Sequence, residues 1–274
     1  MSAERACRKL KLKKQPLALV LIQTRFSPVS NMAKYIHEIQ DGLRRSGFPF
    51  FRPKTAIKLD MTQEGPKISP FDQWVFESAD RYSSVIIDAS QVSLQTTCYD
   101  SFEAFAEHYL KVLYIAMKIT EHATYGVPVR LGLRYVDQVS PQYPEDTVDS
   151  YLNPSLRGME TDYFKNQFKN YSFATVGDTS LQNSHQGKLS IRILRNPGKM
   201  DLPPDLMDDA PPRMKQIDYD KDFALIDMDH GCEGPFGKGI DIEELEALFY
   251  AMHDVIIEVF FSSVISKEGI EKWK

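Results

Sequence analysis

The sequence predicts an α+β fold: an internal duplication of a β-α-β-β-β-α unit, forming a mostly antiparallel, saddle-like sheet with helices on one face. Three observations predict it. Two apolar runs, Leu-Ile-Gln-Thr-Arg25-Phe26 and Leu-Gly-Leu-Arg134-Tyr135, each close on Arg plus an aromatic residue. A later strand-like run in each half ends in Ile-Ile-Asp88 or Leu-Ile-Asp227. Each half then finishes on an amphipathic helix opened by an Asp-x-x-Glu pattern, at Asp100 and at Asp241.

Leu17 to Phe26 is β-like and bounded by Pro16 and Pro28. Met32, Tyr35, Ile36, Ile39 and Leu43 recur at helical spacing, and Gly47 stands where a C-cap belongs. Phe48 to Leu59, rich in aromatic and β-branched residues, predicts a strand, and shorter strands follow at 73–78, 84–89 and 92–97. Asp100-Ser-Phe-Glu103 has capping-box spacing: the carboxylate accepts first-turn N–H groups and Glu103 reaches back. Phe102, Phe105, Tyr109, Leu113 and Ala116 then share one helix face.

The second half repeats the plan. A strand is expected at 129–136, then a helical patch of Val148, Tyr151, Leu152 and Leu156 shortened or broken by Pro154. Strands follow at 171–175, 188–195 and 223–229. Asp241-Ile-Glu-Glu244 opens a helix with a long stripe of Leu245, Leu248, Phe249, Met252, Ile256, Val259 and Phe260. The chain thus divides into a basic arm (1–15), a first unit (16–124) and a second unit (125–274). Two segments fall outside the repeat: an acidic, Pro-rich loop at 197–222, read as mobile, and the glycine-rich turn His-Gly-Cys-Glu-Gly-Pro-Phe-Gly-Lys-Gly at 230–239.

The 274 residues, 42% of them hydrophobic, are enough to bury a sizeable core. The net charge of −5 argues against a general DNA-coating protein. Charge is uneven: residues 1–15 carry Arg5, Arg8, Lys9, Lys11, Lys13 and Lys14 against Glu4. Such an arm is a solvated, disordered tail, or a handle for nucleic acid, a membrane surface or an acidic partner. Cys7, Cys98 and Cys232 form no paired spacing, no signal-peptide pattern opens the chain, and no unbroken apolar run of membrane-spanning length occurs. A cytoplasmic protein is expected, with no membrane association and no cofactor.

An ordered set of motifs carries a family resemblance. These are Pro16-Leu-x-x-Val with Arg25-Phe-x-Pro28, Leu94-Gln-Thr-Thr-x-Tyr99, Leu131-Gly-Leu-Arg-Tyr135, Tyr151-Leu-Asn-Pro-Ser-Leu156 and His253-Asp-x-Ile-x-x-x-Phe260. Together, over roughly residues 16–265, they resemble a sporadically distributed prokaryotic family of unassigned function. The patchy distribution of that family implies a bacterial accessory role, such as antiviral defence or a toxin-related locus. It implies no catalytic residues.

Arg25 and Arg134 interrupt otherwise apolar strands, so each must be paired or line a groove. Asp88 and Asp227 are the expected ion-pair partners. The functional alternative is an anion-binding groove on a pseudo-twofold axis, since the planar guanidinium makes two hydrogen bonds to a carboxylate or phosphate. Phe26 and Tyr135 would then offer rings for bases to stack on. His253, at the edge of the closing helix's apolar stripe, reads as a core histidine or as a partner-binding residue. Asp227, Asp229 and His230 are a weaker candidate for a divalent cation and a metal-dependent hydrolase, the two aspartates sharing a strand face. No Gly-x-Ser-x-Gly elbow or Walker-type loop occurs, and no catalytic residue is assigned. The leading expectation is a non-enzymatic binding or regulatory module for a protein partner. Nucleic-acid or nucleotide binding is the alternative, and a homo-oligomer is compatible with the wide apolar stripe of the closing helix.

Overall fold

The computed structural model describes residues 15–62, 65–158, 170–195, 200–207, 212–214, 222–234, 236 and 241–274. Strand alternation organises the molecule. In β1 (Leu17–Phe26), Val20, Ile22 and Phe26 enter the main core, while Leu21, Gln23 and Arg25 face the other way. In β6 (Pro128–Val139), Leu131, Leu133, Tyr135 and Val139 enter that core, while Arg130, Gly132, Arg134 and Val136 face away. β1 and β6 pair antiparallel, with Leu21 opposite Arg134, Gln23 opposite Gly132 and Arg25 opposite Arg130.

The remaining strands are β2 (Phe50–Thr62), β3 (Gly65–Glu77), β4 (Ser83–Ile87), β5 (Gln91–Thr96), β7 (Tyr171–Ser180), β8 (Gln186–Arg195) and β9 (Ala224–Glu233). They form one nine-stranded sheet in the order β2-β3-β4-β5-β1-β6-β9-β8-β7. All its pairings are antiparallel. The α+β class with a large antiparallel sheet is therefore as expected. Two local expectations about the strands are corrected. The Ile-Ile-Asp88 run belongs to β4, two strands from β1, whereas Asp227 lies on β9, beside β6. Those aspartates do not occupy matching places in the sheet. Residues 230–233 continue β9 rather than forming a turn; residues 237–239 of that glycine-rich stretch lie outside the described residues. The arm at 1–14 lies outside them as well.

The helices cover one face. They are α1 (Ile36–Arg45), α2 (Phe102–Ile119), the short α3 (His122–Tyr125) and α4 (Val148–Tyr151), α6 (Ile242–Val259) and α7 (Lys267–Trp273); a further short helix, α5 (Pro204–Met207), lies on the opposite side. The expected apolar face of α2 is buried. Its cap differs: Ser101 Oγ, not Asp100, accepts the Ala104 N–H at 3.2 Å. Asp241 does cap α6, accepting from the Glu243 and Glu244 amides. After α6 a π-type turn, Phe260–Val264, carries the chain into α7, whose Trp273 is buried. By length and composition alone, Ile242–Val264 is apolar enough to cross a membrane. In the fold its Leu245, Leu248, Phe249, Met252 and Ile256 are packed into the core between sheet and helices.

The acidic loop supplies the second layer. Leu202 and Leu206 pack with Leu19, Val136, Phe223 and Leu225 in a separate cluster on the face away from the helices. Gln138 Nε2 donates to the Asp201 carbonyl at 2.9 Å, Thr97 Oγ1 to the Arg213 carbonyl at 2.7 Å, and Arg213 N–H to the Arg81 carbonyl at 2.7 Å. Where the sequence suggested a mobile loop, residues 200–207 and 212–214 form a strap fastened across the sheet. Apolar residues inside the acidic run explain it: Leu202 and Leu206 pack into an apolar cluster while Asp205 stays half-exposed.

Candidate functional site

The register places one row of polar residues across the helix-free face. Lys54 of β2 lies opposite Gln73 of β3. Asp88 follows β4 at the turn into β5, its N–H bonded to the Gln91 carbonyl at 3.1 Å. Gln91 lies opposite Arg25, Arg25 opposite Arg130, and Arg130 opposite Glu233. Directly opposed residues of an antiparallel pair share a face, so Arg25 and Arg130 stand side by side.

Gln23 organises the pair. Its Oε1 accepts from Arg25 Nε at 3.1 Å and from Arg130 Nη1 at 3.4 Å, and its Nε2 donates to Gln91 Oε1 at 3.0 Å. One neutral oxygen thus serves two guanidinium groups. Arg130 is also ion-paired with Glu233 at 3.0 Å. Arg25 is exposed and has no carboxylate within ion-pair distance among the described residues. Gly231 makes room for Arg130: a Cβ there would stand 2.9 Å from its Nη2.

Asp88 is buried at the side of this row and accepts from the Ser90 N–H and Oγ at 2.8 and 3.1 Å. Burial raises its pKa, only partly opposed by those bonds and by the charge of Arg25. The expected Arg25–Asp88 pair is therefore an influence at a distance, not a contact. Gln73 is also buried, and its Oε1 has no hydrogen-bond partner among the described residues.

Arg134 differs from Arg25 in every respect. Its Nε and Nη2 donate to the two oxygens of Asp227 at 2.7 and 2.9 Å. Its Nη1 and Nη2 donate to Asp205 of the strap at 2.5 and 3.2 Å. Burial works against its charge, but the two carboxylates outweigh that and raise its pKa. In Asp205, burial acts upward and Arg134 prevails, lowering the pKa. Arg192 reaches Asp227 as well, at 2.8 Å. The expected Arg134–Asp227 ion pair is present, and Arg134 is no open groove residue. The sheet face instead brings Arg130 beside Arg25, a residue sequence reasoning missed. The pattern Arg130-Leu-Gly132-Leu-Arg134 marked a cationic strand face, but only register reveals that Arg25 meets its first arginine.

Phe26 and Tyr135 are buried on the helix side and cannot stack on bases at the arginine face. Phe26 packs on His122 at 4.4 Å between ring centroids. Tyr135 Oη lies 2.9 Å from His253 Nδ1 and 3.2 Å from Tyr99 Oη. The His253 ring stacks on Phe102 at 4.1 Å, which makes it a histidine of the core margin.

The metal reading is corrected by strand alternation. Asp227 and Asp229 share the strap-side face, but His230 points into the opposite core, fully buried. Both its ring nitrogens are used: Nδ1 lies 3.1 Å from the Met252 carbonyl and Nε2 2.8 Å from Thr179 Oγ1. A carbonyl only accepts, so Nδ1 carries the proton and Nε2 accepts from threonine. Burial lowers the pKa of His230 and keeps the ring neutral. Among the described residues no group of three or more His, Cys, Asp or Glu side chains is arranged to hold a metal.

No family model matches this chain, and no curated protein matches it.

Proposed function

We propose that this chain is a non-enzymatic binding module that holds a partner through an anionic group bound at Arg25, Arg130 and Gln23. The carrying observation is the cross-strand arginine pair with a single neutral oxygen between its members. Like charges placed directly opposite each other destabilise a sheet. At about 6 Å and an effective dielectric of about 20, the repulsion is roughly 3 kcal/mol, falling below 1 in bulk water. An anion between the two guanidiniums converts that cost into charge-assisted hydrogen bonds. Glu233 offsets the charge of Arg130, which leaves Arg25 as the uncompensated member.

Thermal unfolding at low salt tests this reading. Citrate and pyrophosphate are expected to raise the Tm of the wild-type chain by a few degrees, with the rise shrinking as salt increases. The double variant Arg25→Gln, Arg130→Gln should lose the response while unfolding at a similar temperature. A wild-type protein indifferent to both anions refutes the proposal.

A further inference from the structure

We infer that the outer edge of β7 pairs with the same edge of a second copy of this chain, joining two nine-stranded sheets into one. The inference is independent of the anion site and concerns the far end of the sheet. Three observations carry it. The first is that this edge is open. β7 pairs with β8 along its whole length, and no strand among the described residues lies on its other side. The Leu181 N–H donates to the His185 carbonyl at 2.8 Å, which sets the phase of the ladder. Ser180 and Gln186 are then a pair that exchanges no backbone bonds, as is every second pair before them. The N–H and C=O groups of Ser172, Ala174, Val176, Asp178 and Ser180 therefore point outward. The side chains are accessible as well: residues 174–178 are all exposed, Val176 to 64%.

The second is the lack of protection. Sheet edges are ordinarily blunted with proline or lysine. β2, the opposite edge, contains Pro53 and lysines at 54 and 58. β7, Tyr-Ser-Phe-Ala-Thr-Val-Gly-Asp-Thr-Ser, contains neither proline nor lysine. One edge of the sheet carries blocking residues and the other is left able to pair.

The third is self-complementarity, which selects a second copy as the occupant. Antiparallel pairing about a two-fold axis at Val176 sets Val176 against its own copy, Ala174 against Asp178 and Ser172 against Ser180. All of these are outward-pointing positions. Five such pairs exchange about ten backbone hydrogen bonds, as many as a typical protein interface carries. Asp178 is the only charged residue of β7. Within its own sheet it faces Lys188 at 4.0 Å. Across the joined edge it meets Ala174 of the second copy, whose neighbour on β8 is Arg192. That guanidinium is half-exposed and also pairs with Asp227. The lone carboxylate thus lies between a cation of each copy, with only an alanine side chain intervening. Moving the axis to Asp178 would instead oppose two carboxylates, which destabilises a sheet.

Sedimentation velocity on the full chain over a wide concentration range tests the inference. The wild-type chain should sediment as a dimer that dissociates on dilution. Val176→Lys places like charges on the axis, and Val176→Pro removes an outward N–H without touching the bonds to β8. Each should raise the dissociation constant of the dimer at least about tenfold. Val176 is exposed, so the circular dichroism and Tm of Val176→Lys should match wild type at concentrations where both are monomeric. Register is read by crosslinking in a chain carrying Cys7→Ser and Cys98→Ser. Val176→Cys should form a reducible covalent dimer on oxidation. Asp178→Cys should not, because its own copy lies four residues along the strand, about 13 Å away. A chain that stays monomeric at high concentration overturns the inference and leaves the β7 edge to a strand of another protein. A dimer that Val176→Lys leaves intact, or equal crosslinking at 176 and 178, overturns it as well.

Discussion

Asp137 shows how one buried side chain contributes to the pH response of this molecule. It lies on the helix side of β6, opposite Leu17 of β1 and Ile226 of β9, with no ion-pair partner among the described residues. Burial alone pushes its carboxyl up to about 7. An aspartate in the unfolded chain titrates near 3.9. The folded state therefore holds this proton more tightly, and the stabilisation it gives is complete below about pH 4 and lost as pH rises through about 7. Acting alone, the group sets a ceiling of about 4 kcal/mol on that loss. Thermal melts between pH 5 and 8 should show a falling Tm, and Asp137→Asn should flatten the slope and raise the Tm at pH 8. An unchanged slope would place the titrating group elsewhere. The arginines make a second contrast at this scale. Arg134→Met strips a buried fork from Asp227 and should cost about 3 kcal/mol, whereas Arg25→Ala should stay within about 0.5 kcal/mol. Denaturant titration of the two variants checks the difference.

At the scale of elements, the caps test how far local sequence governs structure. Asp100-Ser-Phe-Glu103 matches a capping box by spacing, but the chain enters α2 one residue later and Ser101 takes the role. Ser101→Ala should cost about 1 kcal/mol, as measured by urea denaturation. Helices and strands were largely legible because their apolar periods are strong: the buried faces of α2 and α6 follow the spacing of Phe102, Phe105, Tyr109 and of Leu245, Leu248, Met252. The strap was not legible, because prolines and aspartates scattered through 197–222 give that stretch the look of a loop, while Leu202 and Leu206 within it do the packing. One residue of the candidate site was legible. Arg25 stood out as a charge in an apolar strand; Arg130 and Gln73 became its neighbours only through register, which a single sequence does not specify. Gly231 offers an element-level probe of that site. An added Cβ would displace the flexible Arg130 head group rather than backbone, so Gly231→Ala should reduce the anion-dependent Tm rise with little change in basal stability.

At the scale of the whole molecule, the β1–β6 pair decides whether two halves behave as one body. The sequence divides at about residue 125, yet nine register pairs join β1 to β6 across that divide. The strap adds further links, with Thr97 and Arg81 in the first half bonded to Arg213 in the second. Helix contacts cross it too: Tyr109 of α2 meets Phe249 of α6 edge-on at 5.6 Å, and Phe102 stacks on His253. Separating the halves would expose Val20, Ile22, Leu131 and Leu133, all fully buried, and leave two strand edges with unpaired backbone groups. Unfolding one half while the other stays native is therefore costly, and a single cooperative transition is expected. The chain carries its own reporters. Its two tryptophans are Trp74 on β3 and Trp273 on α7, one in each half. In the variants Trp74→Phe and Trp273→Phe, the remaining tryptophan reports one half at a time. Each urea transition should coincide with the far-ultraviolet circular dichroism of the same variant. Fluorescence transitions that separate from that signal would mean that the continuous sheet is a junction between independently stable halves, and that a partner bound across β5, β1 and β6 stabilises the junction rather than the fold.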